Sequence, residues 1–323
     1  MKPFKNLLSS AIAACMLIPF AAAAQTYPEK AVRVVIPWPA GGSNDIVGRI
    51  VMQYLSVSLK QQFVIDNRGG AAGTIGSEFV AKSAPDGYTM LVTSATHLGN
   101  AHIYKKLPYD PLKDFVGISP LGRQVGILAV HPALPVNNVK DFIALAKKRP
   151  GDIVYGSAGN GSFTHLMMVL FESMTNTSMI HIPYKGGAPA GISIATGETQ
   201  AMIATVGSFL PQLNSNKVRA LAVTSNTRLE QFPKIPTMAE AGVPGYEFTS
   251  WVGAFFPAKT PPAVINRLSA EFKKANETPD IRTKLSGAAH DSMYLTPEDF
   301  ARVLTSDYEK YGKLIKLIGA KID

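Results

Sequence analysis

Apolar positions along this chain fall into short β-branched runs that alternate with longer stretches of helical period. The first pair sets the pattern for the rest. Val32, Val34, Val35 and Ile36 read as a buried strand stopped by Pro37 and Pro39. Gly41 and Gly42 then allow a turn, and Ser43 predicts the N-cap of a helix with Ile46, Val47, Ile50, Val51, Tyr54 and Leu55 on its apolar face. The first turn of such a helix has N–H groups without partners and a positive dipole end, which together favour an anion. The stretch therefore predicts half of an anion site, with Pro39, Ala40, Gly41, Gly42, Ser43 and Asp45 as its candidate residues.

The same alternation continues. Phe63 to Asp66 reads as a strand, and a flexible loop over 67–73 leads to a short helix from Thr74 to Ala84, capped by Thr74. Tyr88 to Thr93 is the next strand, followed by the small polar loop Ser94-Ala95-Thr96-His97. This order implies a largely parallel sheet with helices on both faces. In such sheets ligands sit beyond the carboxyl ends of the strands, where Gly73, Thr74, Ser94, Ala95 and Thr96 fall.

A strand at Gly126 to Val130 begins a second domain, with a helix over Val139 to Lys148 and a strand over Ile153 to Tyr155. The turn 156–162 and the helix Phe163 to Met174 then repeat the opening layout of strand, Gly-rich turn, Ser cap and helix. This adds Gly159, Asn160, Gly161, Ser162 and His165 as candidates. Further strands are expected at Met179 to Pro183 (leading into a loop from Tyr184), Val218 to Thr224 and Trp251 to Phe256. Helices over Val264 to Asn276, Pro279 to Ser286 and Pro297 to Ile318 close the chain. Two crossings between domains place residues 26–125 and 250–323 in one lobe and 126–249 in the other, with Tyr184 a further candidate on the second lobe's side. Two matching turns in separate domains suit a ligand gripped from both sides.

Composition trims the picture. Lys2 and Lys5, the apolar Leu7 to Phe20 and the small residues Ala22-Ala23-Ala24 read as a signal peptide over residues 1–24, cleaved before Gln25. A lipoprotein box around Cys15 is the alternative, and the apolar Met16 to Ala24 after it argues against that reading. Cleavage removes the only Cys and leaves 299 residues, enough for two domains stabilised by an ordinary core. Without Lys2 and Lys5 there are 30 basic against 23 acidic residues, a net charge of +7. Those charges are scattered, with no basic stripe or stacking aromatics, so nucleic acid is not an expected partner.

Candidate chemistry is sparse. No two of the six His residues stand at the i, i+4 spacing that holds zinc on a helix, and no metal or cofactor is expected. A Gly-x-Ser-x-Gly elbow fails at Ser157 because Tyr155 lies two before it. Ser162 and His165 stand three apart at a helix start and leave a secreted Ser/His hydrolase as the alternative reading. No dinucleotide fingerprint or Walker lysine is present, although a helix end does not itself distinguish phosphate from carboxylate. Asp45 has two compatible readings: a favourable acid in a helix first turn paired with Arg49, or an acceptor for a ligand amide, ammonium or water.

The ordered segments YPEKAVRVVIPWPAGGSNDIVGR, NRGGAAGTIG, APDGYTML, YGSAGNGSFTHL, IPYKGG, VRALAVTS, PTMAEAGVPGYE and TPEDFARVL resemble the Bug family. Its members are periplasmic substrate-binding proteins of tripartite tricarboxylate transporters. The resemblance covers nearly all of the chain beyond the signal region. It implies an α/β, two-domain periplasmic binding protein of type II, a Venus flytrap with its ligand cleft between the lobes. It also implies a monomer without catalytic activity that binds a small organic acid and serves membrane transporter subunits. In the family the turns matching Pro39 to Asp45 and Gly159 to His165 pinch the ligand carboxylate through backbone N–H groups and water. Gln200 stands where the family commonly has an acid, which bears on ligand preference near the second lobe's cleft side. Gly69 stands where the family often has Pro.

Overall fold

The computed structural model describes residues 27–318, so the expected signal peptide, its cleavage site and Cys15 lie outside the described residues. Strand β1 (Val32–Ile36) pairs in parallel with β2 (Phe63–Asn67) on one side and β3 (Thr89–Ser94) on the other. The parallel order ends there. β9 (Thr249–Pro257) runs antiparallel between β3 and the 16-residue β4 (Phe115–Val130). The expected largely parallel sheet is therefore mixed, because β4 leaves the first lobe and β9 returns to it as neighbouring strands of opposite direction.

β4 joins the two lobes. Up to Val125 it pairs with β9, and from Gly126 it pairs with β7 (Ala201–Thr205) and β8 (Arg219–Val223), both antiparallel. Beyond β7 lie β5 (Val154–Ser157) and β6 (Ile180–Pro183), parallel to one another. At the change of partners, the Gly126 N–H donates to Thr224 Oγ1 at 2.8 Å, and the Thr224 N–H donates back to the Gly126 carbonyl at 2.9 Å.

Helices cover both faces of each half-sheet. In the first lobe α1 (Ser43–Ser58), α8 (Pro262–Glu277) and α9 (Pro279–Gly287) bury Val47, Val51, Leu55, Leu268 and Phe272 against Val32, Val34 and Ile36. Each such side chain contributes about 1.5–3 kcal/mol on leaving water. α2 (Thr74–Ala81) and α3 (Thr96–Ile103) cover the other face. In the second lobe α4 (Val139–Lys148) and α5 (Phe163–Thr175) lie on one face, and α6 (Gly187–Thr196) and α7 (Val206–Asn214) pack together in a second cluster. The closing helix α10 (Pro297–Ile318) sets Tyr311 and Ile315 into the same core as Leu98 of α3 and Leu166 of α5. It thus packs on both lobes.

Four elements differ from the sequence reading, and β4 starts at Phe115 where the reading began its strand at Gly126. The segment 94–97, expected as a loop, ends β3 and starts α3. The segment after Tyr184 winds into α6, and β7 with α7 had no counterpart. α3 is buried nearly all round, so it carries no polar stripe to betray a helix. Gly187, Pro189 and Gly191 disguise α6, and Pro211 disguises α7.

Candidate functional site

Between the lobes lies a chamber with about 420 Å³ of free space, part of it open to solvent. The first turns of five helices line it: Gly42, Ser43 and Asn44 from α1, Thr96 from α3, Ser162, Phe163 and Thr164 from α5, Gly187 from α6, and Thr205 with Ser208 from α7. Trp38, Pro39, Ser94, Gln124 and Ala158 complete the lining. No Asp, Glu, Lys, Arg or His is among these residues. Positive potential in the chamber therefore comes from peptide dipoles and unpaired N–H groups. Trp38 and Ala158 also border an outer cavity of about 540 Å³, where Gly159, Asn160, Tyr184 and Lys185 face Gly70, Ala71, Ala72 and Tyr104. The Trp38 indole N–H is buried and has no partner among the described residues.

The lobes meet around the chamber. The first N–H of α5, on Phe163, donates across the cleft to Thr96 Oγ1 at 3.1 Å. Two glycines allow equally close approach. Gly161 has φ +72°, and a Cβ there would stand 2.3 Å from Cδ1 of Ile103 in α3. Gly186 has φ +126°, and a Cβ there would stand 2.7 Å from Cδ of Pro39. Any side chain at either position would be strained and would push the lobes apart.

The structure sorts the sequence candidates into three groups. Pro39, Gly42, Ser43, Ser94, Thr96 and Ser162 line the chamber, and Gly159, Asn160 and Tyr184 line the outer cavity. Ala40, Gly41, Asp45, Gly73, Thr74, Ala95, Gly161 and His165 line neither. Asp45 is 2 % exposed and its oxygens are already engaged. Oδ2 accepts from the Gly41 N–H at 2.9 Å and from Arg49 Nε at 2.8 Å, while Oδ1 accepts from Asn67 Nδ2 at 3.0 Å. Its role as first-turn acid and partner of Arg49 holds, while its burial away from both cavities does not present it to a ligand. Burial pushes the Asp45 carboxyl up, but the hydrogen bonds and the Arg49 charge outweigh that and hold it below the ordinary carboxylate range.

Two of the expected caps also change. Gly42, not Ser43, occupies the N-cap of α1, and Ser43 turns its hydroxyl to His290 Nε2 at 2.8 Å. His290 Nδ1 lies 3.3 Å from the Arg123 carbonyl, so Nδ1 carries the proton of the neutral ring and Nε2 accepts from Ser43. Gly73, at φ 88°, precedes α2 in the place expected for Thr74. Ser162 does cap α5, accepting from the His165 N–H at 3.3 Å.

The Ser/His pair of the hydrolase reading does not assemble. His165 Nδ1 accepts from the Gly161 N–H at 3.0 Å, and its ring stacks on His181 with centroids 4.1 Å apart. Burial and the His181 charge push His165 down to about 3, and burial pushes His181 down to about 4. Gln200 is tied to the strands instead of the cleft, since its Oε1 accepts from the Val154 N–H at 2.7 Å. Sequence reading missed Trp38, Asn44, Gln124, Ala158, Phe163, Thr164, Gly187, Thr205 and Ser208 as lining residues. Gln124 had a usable signal, being an uncharged polar residue inside the apolar run of β4.

Residues 47–320 match the model of the tripartite tricarboxylate transporter family receptor. The chain belongs to this receptor family. The chain is 32 % identical to protein BugT of Bordetella pertussis over 301 residues, covering 93 % of this chain and 92 % of that one. A structure of Rpa4515 from R. palustris with adipate superposes with TM-score 0.89 at 34 % identity, covering 92 % and 100 % of the two chains. MatC from Rhodopseudomonas palustris with bound malate gives 0.83 at 26 %, covering 90 % and 100 %. The chain is thus a Bug-type solute-binding receptor with the two-lobed fold of this family, and not an enzyme. Among the described residues no helix is long and apolar enough to cross a membrane.

Proposed function

We propose that this receptor captures a small organic acid in the periplasm and presents it to membrane subunits of a tripartite tricarboxylate-type transporter. The carboxylate lies in the chamber against the converging first turns of α1, α3, α5, α6 and α7. A monomer suffices, with residues 26–125 and 250–323 moving as one lobe and 126–249 as the other about the two strand crossings. The observation that carries this reading is the chamber lining, five helix N-termini and no charged side chain. Such a site favours an anion of low charge whose oxygens take N–H groups from several directions. The adipate and malate held by the two similar structures favour carboxylate over phosphate.

The test is a thermal-shift and calorimetric screen of the exported protein against mono-, di- and tricarboxylates, with inorganic phosphate as the competing anion. A true ligand at 100 times its Kd stabilises by about 2.7 kcal/mol. Trp38 lines the chamber and should report binding by fluorescence. Trp251 is buried elsewhere with its indole N–H on Asp307 Oδ2 at 2.8 Å, so it should not. Response to phosphate alone, or to no acid at all, would overturn the proposal.

A further inference from the structure

Gln124 sits on β4 in the chamber wall, 3 % exposed, and its amide is only half used. Nε2 donates to Asn44 Oδ1 at 3.1 Å, whereas Oε1 is buried without a partner among the described residues. Asn44, the second residue of α1, also lines the chamber, and its own amide N–H groups make no hydrogen bond among the described residues. The two amides therefore form one bond between themselves and leave one acceptor and several donors over. Reversing both amides leaves the same inventory, because the pair keeps a single internal bond either way.

A buried acceptor without a partner is costly in a folded protein unless something else supplies the donor. A carboxylate cannot, since it only accepts. An ammonium could donate, but a buried cation needs an acidic partner. Among the described residues no Asp or Glu lines the chamber, and the nearby Asp45 bonds Gly41, Arg49 and Asn67. A bare alkyl chain leaves Oε1 as it was. A neutral group that both donates and accepts fits the inventory.

Resting on the carboxylate reading above, we infer that the preferred ligand is a monocarboxylate carrying a hydroxyl or primary carboxamide. Gln124, paired with Asn44, is the residue that reads that group. The carboxylate takes the helix N-termini, and the neutral group donates to Gln124 Oε1 while accepting from Asn44. Amino acids and simple diacids are then the weaker ligands. Gln124 thus sets specificity without supplying the anion grip.

The test is calorimetry on the exported protein at pH 7.5 with matched acids of two lengths. The four-carbon set is 4-hydroxybutyrate, succinamate, succinate and butyrate; the six-carbon set is 6-hydroxyhexanoate, adipamate, adipate and hexanoate. In at least one set the hydroxyl or carboxamide acid should bind at least about tenfold more tightly than its diacid and alkyl counterparts. Gln124→Met, which keeps the volume, should abolish that preference, so that the hydroxyl and carboxamide acids bind no more tightly than their alkyl counterparts. The wild-type comparison needs no variant and stands even if Gln124→Met folds poorly. Diacids or alkyl acids binding as tightly, or a preference that survives Gln124→Met, would overturn the inference and leave the carboxylate receptor intact. No response to any acid would overturn both.

Discussion

Thr96 Oγ1 accepts the Phe163 backbone N–H across the cleft at 3.1 Å, so the first turn of α3 is bonded to the first turn of α5. The bond exists only when the lobes are together. Thr96→Val keeps the side-chain shape and removes the acceptor, leaving an N–H of α5 without its partner. The loss should be about 0.5–1.5 kcal/mol, which appears as about two- to twelvefold weaker ligand affinity. Calorimetry checks it, with an unchanged thermal midpoint in the absence of ligand marking the effect as one on closure.

Gly161 and Ser162 are neighbours with different duties. Gly161→Ala places a Cβ within 2.3 Å of Ile103 Cδ1 on the opposite lobe and strains a positive φ. It should weaken binding by more than about tenfold through impaired closure. Ser162→Ala removes a cap, costing about 1 kcal/mol of stability, and should affect affinity less. Parallel thermal melts and titrations of the two variants separate the cases, and a larger affinity loss in Ser162→Ala would reverse their assignment.

Asp45 links Gly41, Arg49 and Asn67 around the entry to α1. Its carboxyl titrates below its unfolded value, so its contribution is fully present above about pH 4 and is lost as the pH falls through the lower folded value. Asp45→Ala should cost about 1.5–3 kcal/mol near neutrality and flatten the acid limb of a stability–pH curve. Urea midpoints measured from pH 7 to pH 3 give both numbers.

The stacked His165 and His181 are held neutral, pushed down to about 3 and about 4. Their contribution is complete above about pH 6.5, the unfolded value, and drains away as the pH drops toward those folded values. Glu172, pushed up to about 7 by burial, acts in the opposite sense and loses stabilisation as the pH rises through 7. The two rings outweigh the one carboxyl below pH 6.5, so stability should fall there. Protonating His165 Nδ1 also sets it against the Gly161 N–H it accepts, so in the folded protein ligand should be released only as the pH approaches about 3. His181→Phe keeps a stacked ring without a proton to gain and should reduce the slope.

Legibility in the sequence followed amphipathicity. β1, α1, α4, α5 and α10 carry clear apolar periods, and their expected bounds agree with the structure to within a few residues. α3, α6 and α7 carry none, since burial or Gly and Pro erase the stripe, and their first turns are three of the five around the chamber. The helical part of the site was therefore read from α1 and α5, with Ser94 and Thr96 reached only as a loop after β3 and Tyr184 as a loop after β6. The roles of Asp45 and His165 were open in the sequence because each depends on partners that only the fold brings near: Asn67 for Asp45 and His181 for His165. Gln124 shows the reverse case, a residue whose polarity was visible but whose partner Asn44 lies 80 positions away.

The chamber's charge-free lining bears on how such a receptor changes its diet. Every substitution except proline keeps the peptide N–H, so nearly all mutations around the chamber alter its shape and polarity while leaving the anion grip in place. A receptor holding its ligand through an arginine loses that grip with one codon. Here a single change at Gln124 or Asn44 can retune preference among acids without passing through a form that binds none. The scaffold separates retention from discrimination, and it can drift between substrates through intermediates that still work.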